Sequence, residues 1–209
     1  MKMNLEYVLP ADIEKRSFEM IESELGDAVI PAEVKPIVLR AIHTTADFDY
    51  AHNLYFSENA VGRALELLRG GAVIVTDTNM AKAGINKAAL EKLGCECLCF
   101  MSDSDVAETA KKNGTTRAAA SVDKAAELKR PLIYAVGNAP TALVRICEHI
   151  ERGDFVPELV IGAPVGFVNV VQSKEMLVKS GVPCIAAMGR KGGSTVAAAI
   201  CNALLYMLK

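Results

Sequence analysis

Histidine is scarce in this chain: His43, His52 and His149 are the three it has. Imidazole is the side chain that most readily exchanges a proton near neutral pH, so these three are the first candidates for acid–base chemistry. His43 differs from the others because it comes where an apolar segment runs into Thr44-Thr45-Ala46-Asp47-Phe48-Asp49-Tyr50. Hydroxyls and two carboxylates follow within a few residues, and Thr44 and Asp47 are placed to orient a ring and tune its proton affinity. A histidine serving only to close a helix would read in the same way. His149, just ahead of Glu151-Arg152-Gly153, needs no more than such a helix-end contact, and His52 lies in an ordinary polar segment.

The cationic residues Arg16, Arg40, Arg63, Arg117, Arg145, Arg190 and Lys191 are spread along the chain rather than massed. The run Gly189-Arg190-Lys191-Gly192-Gly193-Ser194-Thr195 invites comparison with a phosphate loop, but there the lysine follows the glycines and here it precedes two of them. No GxGxxG follows the first apolar strand either, so a nucleotide is a poor fit. What remains is a helix start with Arg190 and Lys191 beside it, suited to carboxylates or another anion, or a plain tight turn. Thr115 and Thr116 offer a capped helix start beside Arg117. Separated donors of this kind suit a molecule that carries several carboxylates. Cys95, Cys97 and Cys99 alternate on one face of an expected strand, a pattern that small buried apolar side chains explain, and no metal ligand is assigned.

These residues sit on a recognisable series of elements. Ile13, Met20, Ile21 and Leu25 recur at helical spacing between Pro10 and Gly26, and a second helix is expected from Pro31 toward His43 with Val34, Ile37, Val38, Ala41 and Ile42 facing inward. Ser57 is the expected cap of a third helix running to Arg69. From Gly70 onward, short apolar runs alternate with helical segments: AVIVTDT, CECLCF, LIYAVG, LVIGAP and PCIAAMG. The expected fold is a three-layer α/β/α arrangement, Rossmann-like, with a mainly parallel and roughly five-stranded sheet preceded by N-terminal helices, all within one domain over residues 1–209. Ligands on such sheets gather beyond the carboxyl ends of the strands, especially where strand order reverses. Three strand exits have suitable glycine- or proline-containing turns: Val136–Leu143, Gly162–Glu175 and Met188–Ala199.

Composition narrows the function classes. With 209 residues, 51% of them hydrophobic, the chain can close one sizeable core. A net charge of −2 gives no electrostatic footprint for nucleic acid. The first residues lack the apolar core of a signal peptide, and no apolar run is long enough for a bilayer, so no membrane partner is expected. Six cysteines with no compact disulfide framework point to a reducing compartment, and the cytoplasm is the expected location.

Several segments taken in order, PADIEKRSFEMI, AIHTTADFDY, TTRAAA, AVGNAPTAL, GAPVGFVNVVQSKEML and GVPCIAAMGRKGGSTVAAAICNALL, resemble the precorrin-8X methylmutase family across nearly the whole chain. The histidine segment together with the GAPVGFV and GRKGGS loops makes the resemblance specific. It implies an isomerase that moves a methyl group from carbon 11 to carbon 12 of precorrin-8X or cobalt-precorrin-8. The product would be hydrogenobyrinate or cob(II)yrinate on the way to cobalamin. Because the methyl group comes from the substrate itself, no cofactor is implied, in keeping with the missing dinucleotide fingerprint.

The resemblance makes His43 the acid catalyst. Position and polarity add Thr44 and Asp47 around it, and Ser17, Arg40, Arg117, Asn138 and Lys191 as contacts for the carboxylates of a tetrapyrrole. A homodimer with ligand near the subunit interface is implied too, and hand-over of product to the next pathway enzyme is compatible with it. A tetrapyrrole-binding or delivery protein of the same fold is the competing expectation. A nucleotide-dependent oxidoreductase or methyltransferase ranks behind both.

Overall fold

The computed structural model describes residues 6–208. Residues 1–5 and 209 of the expected 1–209 domain lie outside the described residues. After a 3-10 turn at Pro10–Asp12, the chain forms α1 (Ile13–Leu25), α2 (Lys35–Thr45), α3 (Tyr50–Asn53), β1 (Leu54–Phe56) and α4 (Ala60–Arg69). It continues through β2 (Val73–Thr76), α5 (Asn79–Gly84), α6 (Lys87–Lys92), β3 (Glu96–Leu98), α7 (Ser104–Lys112) and α8 (Arg117–Ala126). The last elements are β4 (Leu132–Val136), α9 (Pro140–Arg152), β5 (Leu159–Gly162), α10 (Val170–Lys179), β6 (Cys184–Ala187) and α11 (Ser194–Tyr206).

The strands form one sheet in the order β1-β6-β5-β4-β2-β3, parallel throughout except for β1, which runs antiparallel to β6. The apolar runs produce strands buried on both faces, and alternation assigns their side chains to two cores. Ile74, Ile133, Ala135, Leu159, Ile161, Ile185 and Ala187 face one core with α2, α4, α6 and α11. Val73, Val75, Leu132, Tyr134, Val136, Val160 and Cys184 face the other with α7, α8, α9 and α10. This is the expected three-layer arrangement.

All five expected strands are present, and the sheet gains a sixth, β1. Its three residues, Leu54-Tyr55-Phe56, are too few to show a period, and their order comes from pairing with the β6 edge. Ser57 does not cap α4: Asn59, with a positive φ of 54°, stands at the cap, while Ser57 exchanges hydrogen bonds with Cys184 and so extends the sheet edge. The expected helix from Pro31 begins properly only at Lys35, because residues 31–35 form a turn closed on the Pro31 carbonyl. Its inward stripe of Val34, Ile37, Val38, Ala41 and Ile42 is buried as expected. In α1, Ile21 is buried with Phe18 and Leu25 packed on the core, and Ile13 and Met20 face outward. The expected α1 stripe thus mixes two helix faces.

Strand order reverses between β2 and β4, because the chain leaves β2 for β3 on one side and returns to β4 on the other. Here the structure departs from the usual open crevice. The buried carboxylate of Asp77, at the end of β2, accepts the backbone N–H groups of Gly137, Asn138 and Ala139 at 2.7, 2.8 and 2.7 Å. Gly137 packs so closely on the start of α11 that a Cβ would lie 2.6 Å from Cα of Ser194. Thr78 and Ser194 join their hydroxyls at 2.8 Å. The donors that could have cradled a phosphate at the reversal point are therefore occupied by the protein's own anion.

Candidate active site

Apolar burial of Ile42 and capping by Ala46 end α2 so that His43 lies in its last turn, facing solvent. The His43 ring lies 5.2 Å from the Phe18 ring on α1, tilted by 53°, and its nitrogens have no hydrogen-bond partner among the described residues. Thr44 is exposed beside it. Arg40, one turn earlier, has its guanidinium 5.0 Å from the centre of Phe18 and 4.8 Å from that of Tyr206, and Nη1 pairs with Glu14 at 2.6 Å. Ser17, next to Phe18, donates its hydroxyl to the Ile13 carbonyl at 2.8 Å. The structure thus brings Arg40 and His43 together around Phe18, with Ser17 as its chain neighbour. A groove of about 500 Å³ lined by Phe18, Leu39, Arg40, Tyr206 and Met207 runs along this flank.

Asp47 does not reach His43. Its carboxylate is drawn instead to the full charge of Lys191, which lies 2.6 Å away and also contacts Asp49 at 2.6 Å. Asp47 also accepts the Asp49 N–H at 3.0 Å. The Lys191 hydrogen bond holds the Asp47 carboxyl below its ordinary range, and the two carboxylates raise Lys191 in turn. This link fastens the segment after His43 to the glycine loop after β6. A second link is the Met188 N–H, which donates to the Asn53 carbonyl at 2.7 Å.

The β5 and β6 exits lock together through their backbones. The Gly193 N–H donates to Ala163 O at 2.8 Å and the Gly166 N–H to Arg190 O at 3.2 Å. At Gly192, with φ +156°, a Cβ would stand 2.3 Å from Ala163 O, so a side chain would part the two loops. Arg190 lies over the exposed Phe167 ring at 5.5 Å. Beneath the turn, the buried ammonium of Lys174 donates to the carbonyls of Gly189 and Lys191, each at 2.8 Å. Burial pushes this lysine down to about 8.

Asn138 and Arg117 lie on the other flank. Both are exposed. Thr116 caps α8 through the Ala119 N–H, as expected, and its hydroxyl meets that of Thr141 on α9 at 2.9 Å. An open depression of about 890 Å³ borders these residues, lined by Thr115, Asp123, Thr141, Arg145 and Asn169 among others. It is larger than the groove beside His43, but an acid must reach its substrate, so proximity to His43 outweighs size here.

His149 is a different kind of histidine. It is buried, with Nδ1 2.5 Å from Asp154 and Nε2 2.8 Å from Asp123, both ring nitrogens being used in fastening α9. Cys95 and Cys97 pack against the first core, and Cys147, Cys184 and Cys201 are buried. Sequence reasoning passes over Asp77 and Lys174. An acidic residue closing the buried AVIVT run was a usable signal for the first; a lysine on an ordinary helix gave none for the second.

Fold and site together define an α/β protein with its strand-exit loops gathered around cationic side chains and two exposed imidazoles, His43 and His52. The sequence model of precorrin-8X methylmutase matches residues 12–207. The chain is 46% identical to the cobalt-precorrin-8 methylmutase of Priestia megaterium, over 94% of this chain and 88% of that protein. It is 45% identical to the cobalt-precorrin-8 methylmutase of Salmonella typhimurium, over 96% of each. The crystal structure of precorrin-8X methyl mutase from Thermus thermophilus superposes with a TM-score of 0.85 at 39% identity, covering 94% of this chain and 96% of that one. The chain belongs to the precorrin-8X methylmutase family, whose members are isomerases that shift a methyl group.

Proposed function

We propose that this protein moves the methyl group of precorrin-8X or cobalt-precorrin-8 from carbon 11 to carbon 12, with His43 as general acid, in cobalamin biosynthesis. The observation that carries the reading is the place of His43, exposed in the last turn of α2 with its ring against Phe18, over which Arg40 also lies. His149 has both ring nitrogens committed to carboxylates, whereas His43 is exposed with both free of protein partners among the described residues. His149 thus serves the fold, and between the two exposed histidines, His43 and His52 on α3, the family resemblance falls on His43.

A sigmatropic migration needs little covalent assistance. The enzyme must hold the macrocycle in one conformation and stabilise the charge that develops on its conjugated nitrogens. In this account His43 donates a proton or strong hydrogen bond to a ring nitrogen as the methyl group moves. Arg40 and Lys191 face peripheral carboxylates from one flank and Arg117 and Asn138 from the other, with Ser17 adding a hydroxyl. Lys191 is already paired with Asp47 and Asp49, so a substrate carboxylate competes with them for it. Thr44 and Asp47 shape the rim around His43, Asp47 acting through Lys191.

The protein acts in the cytoplasm as a single-domain homodimer, and the apolar residues exposed on α1, Ile13 and Met20, are compatible with a subunit contact. Among the described residues, no helix is long and apolar enough to cross a membrane. Product hand-over to the next pathway enzyme is compatible with a site that opens at the surface.

The two more similar of the relatives described above, at 46% and 45% identity, are named for the cobalt form and the Thermus thermophilus structure, at 39%, for precorrin-8X, so cobalt-precorrin-8 is the expected faster substrate. Mixing the protein with either substrate and following the absorption change tests the reading. Conversion supports an enzyme; tight binding of both substrates without conversion would leave a tetrapyrrole carrier.

A further inference from the structure

Lys174 lies on α10 with its side chain fully buried, and its ammonium bonds two carbonyls of the turn after β6, those of Gly189 and Lys191. Enclosing an ammonium is unfavourable, and an apolar side chain of the same length would pack there without that penalty. Its pKa, lowered to about 8 by burial, leaves the group mainly charged at neutral pH, so both bonds are charge-assisted. Gly189, Arg190 and Lys191 are all exposed residues, so the turn they form borders water into which it can shift once released. Loss of the ammonium therefore removes two bonds that hold the turn from within. On its outer side the same turn carries Lys191, which holds Asp47 and Asp49 just beyond His43.

We propose that Lys174 is a positioning residue that fixes the Gly189–Lys191 turn from inside the fold, keeping Lys191 and Arg190 aligned with the His43 segment for a carboxylate-bearing substrate. This deepens the methylmutase reading and rests on it. Lys174 touches no substrate in this account; it sets the backbone from which two cations project.

The test compares wild type with Lys174→Met, which keeps an unbranched apolar stem and removes the donors, and with Lys174→Gln, which has as many atoms along its chain as methionine and retains an amide donor. For Lys174→Met the expected result is a melting temperature no lower than that of wild type. Hydrogen exchange should be faster only around residues 189–193, KM should rise about tenfold and kcat should change less than about threefold. Lys174→Gln should fall between Lys174→Met and wild type. A folded Lys174→Met protein with wild-type KM and exchange overturns the proposal. So does a lowered melting temperature with faster exchange throughout, or failure of both variants to fold, since either makes the residue structural. Wild-type turnover is measured in the same series. Its absence would overturn the methylmutase reading, while loop exchange and affinity for hydrogenobyrinic acid would still decide the role of Lys174.

Discussion

His43 and His149 carry the same imidazole into opposite circumstances. Two carboxylates and burial make His149 a fastening between helices, whereas His43 keeps its nitrogens available at the end of α2. The same contrast separates two lysines that meet at one turn: Lys174, from α10, is consumed inside the fold, and Lys191 projects outward to Asp47 and Asp49. Because the Lys191 pair is largely exposed, it adds little to stability. Lys191→Met should therefore leave the thermal midpoint near that of wild type while weakening substrate affinity roughly tenfold, the scale of one charge-assisted contact. Thermal melts and equilibrium titration check the two halves separately. A large fall in melting temperature with unchanged affinity would assign Lys191 to the fold instead.

At the scale of elements, the strand exits are held by polar groups that reach across the sequence. Asp77 holds the β4 exit through three N–H groups, and although burial raises its pKa, those bonds favour the charged form. Asp77→Asn offers a single carbonyl oxygen where a carboxylate served three donors, and points an amide at the others. Denaturant unfolding should show a loss of about 3 kcal/mol; a loss below about 0.5 kcal/mol would contradict this account of the exit.

Such long-range ties also mark the limit of sequence reading. The five apolar strands and the α2 stripe were legible because burial imposes a local pattern. β1 was not, since three residues acquire strand geometry only from the β6 edge, and Ser57, a good helix cap by type, is claimed by Cys184. For the candidate site, composition and resemblance point to His43 and Lys191, both of which the fold leaves exposed. The partners of Asp77 lie 60 to 62 residues away, beyond any local pattern. Asp47 beside His43 in sequence suggested a contact that Lys191, remote in sequence, takes over.

At the scale of the whole molecule, two cores enclose a sheet with thiols among its packing residues. Burial pushes Cys97, Cys147 and Cys184 up to about 11, and Cys201 further. An unfolded chain loses these protons near its ordinary thiol pKa of about 8.5. Above that pH the folded state binds more protons than the unfolded one, so the stability is full below about pH 8.5 and declines as pH rises toward 11. Lys174 acts in the opposite sense from about 8 upward, but as one group against four. The unfolding free energy from urea titrations should fall between pH 8.5 and 10.5 by an amount on the order of a few kcal/mol, with a shallower slope in Cys184→Ala. A flat profile would mean that these thiols ionise in the folded protein.

The most direct test of the central claim is single-turnover absorption spectroscopy of cobalt-precorrin-8 and precorrin-8X with wild type and His43→Ala. The account predicts conversion by wild type and, in the variant, a loss of rate on the order of a hundredfold or more with binding retained, because the proton is needed only as the methyl group moves. A variant that converts substrate as fast as wild type would contradict the assignment of His43 as the acid.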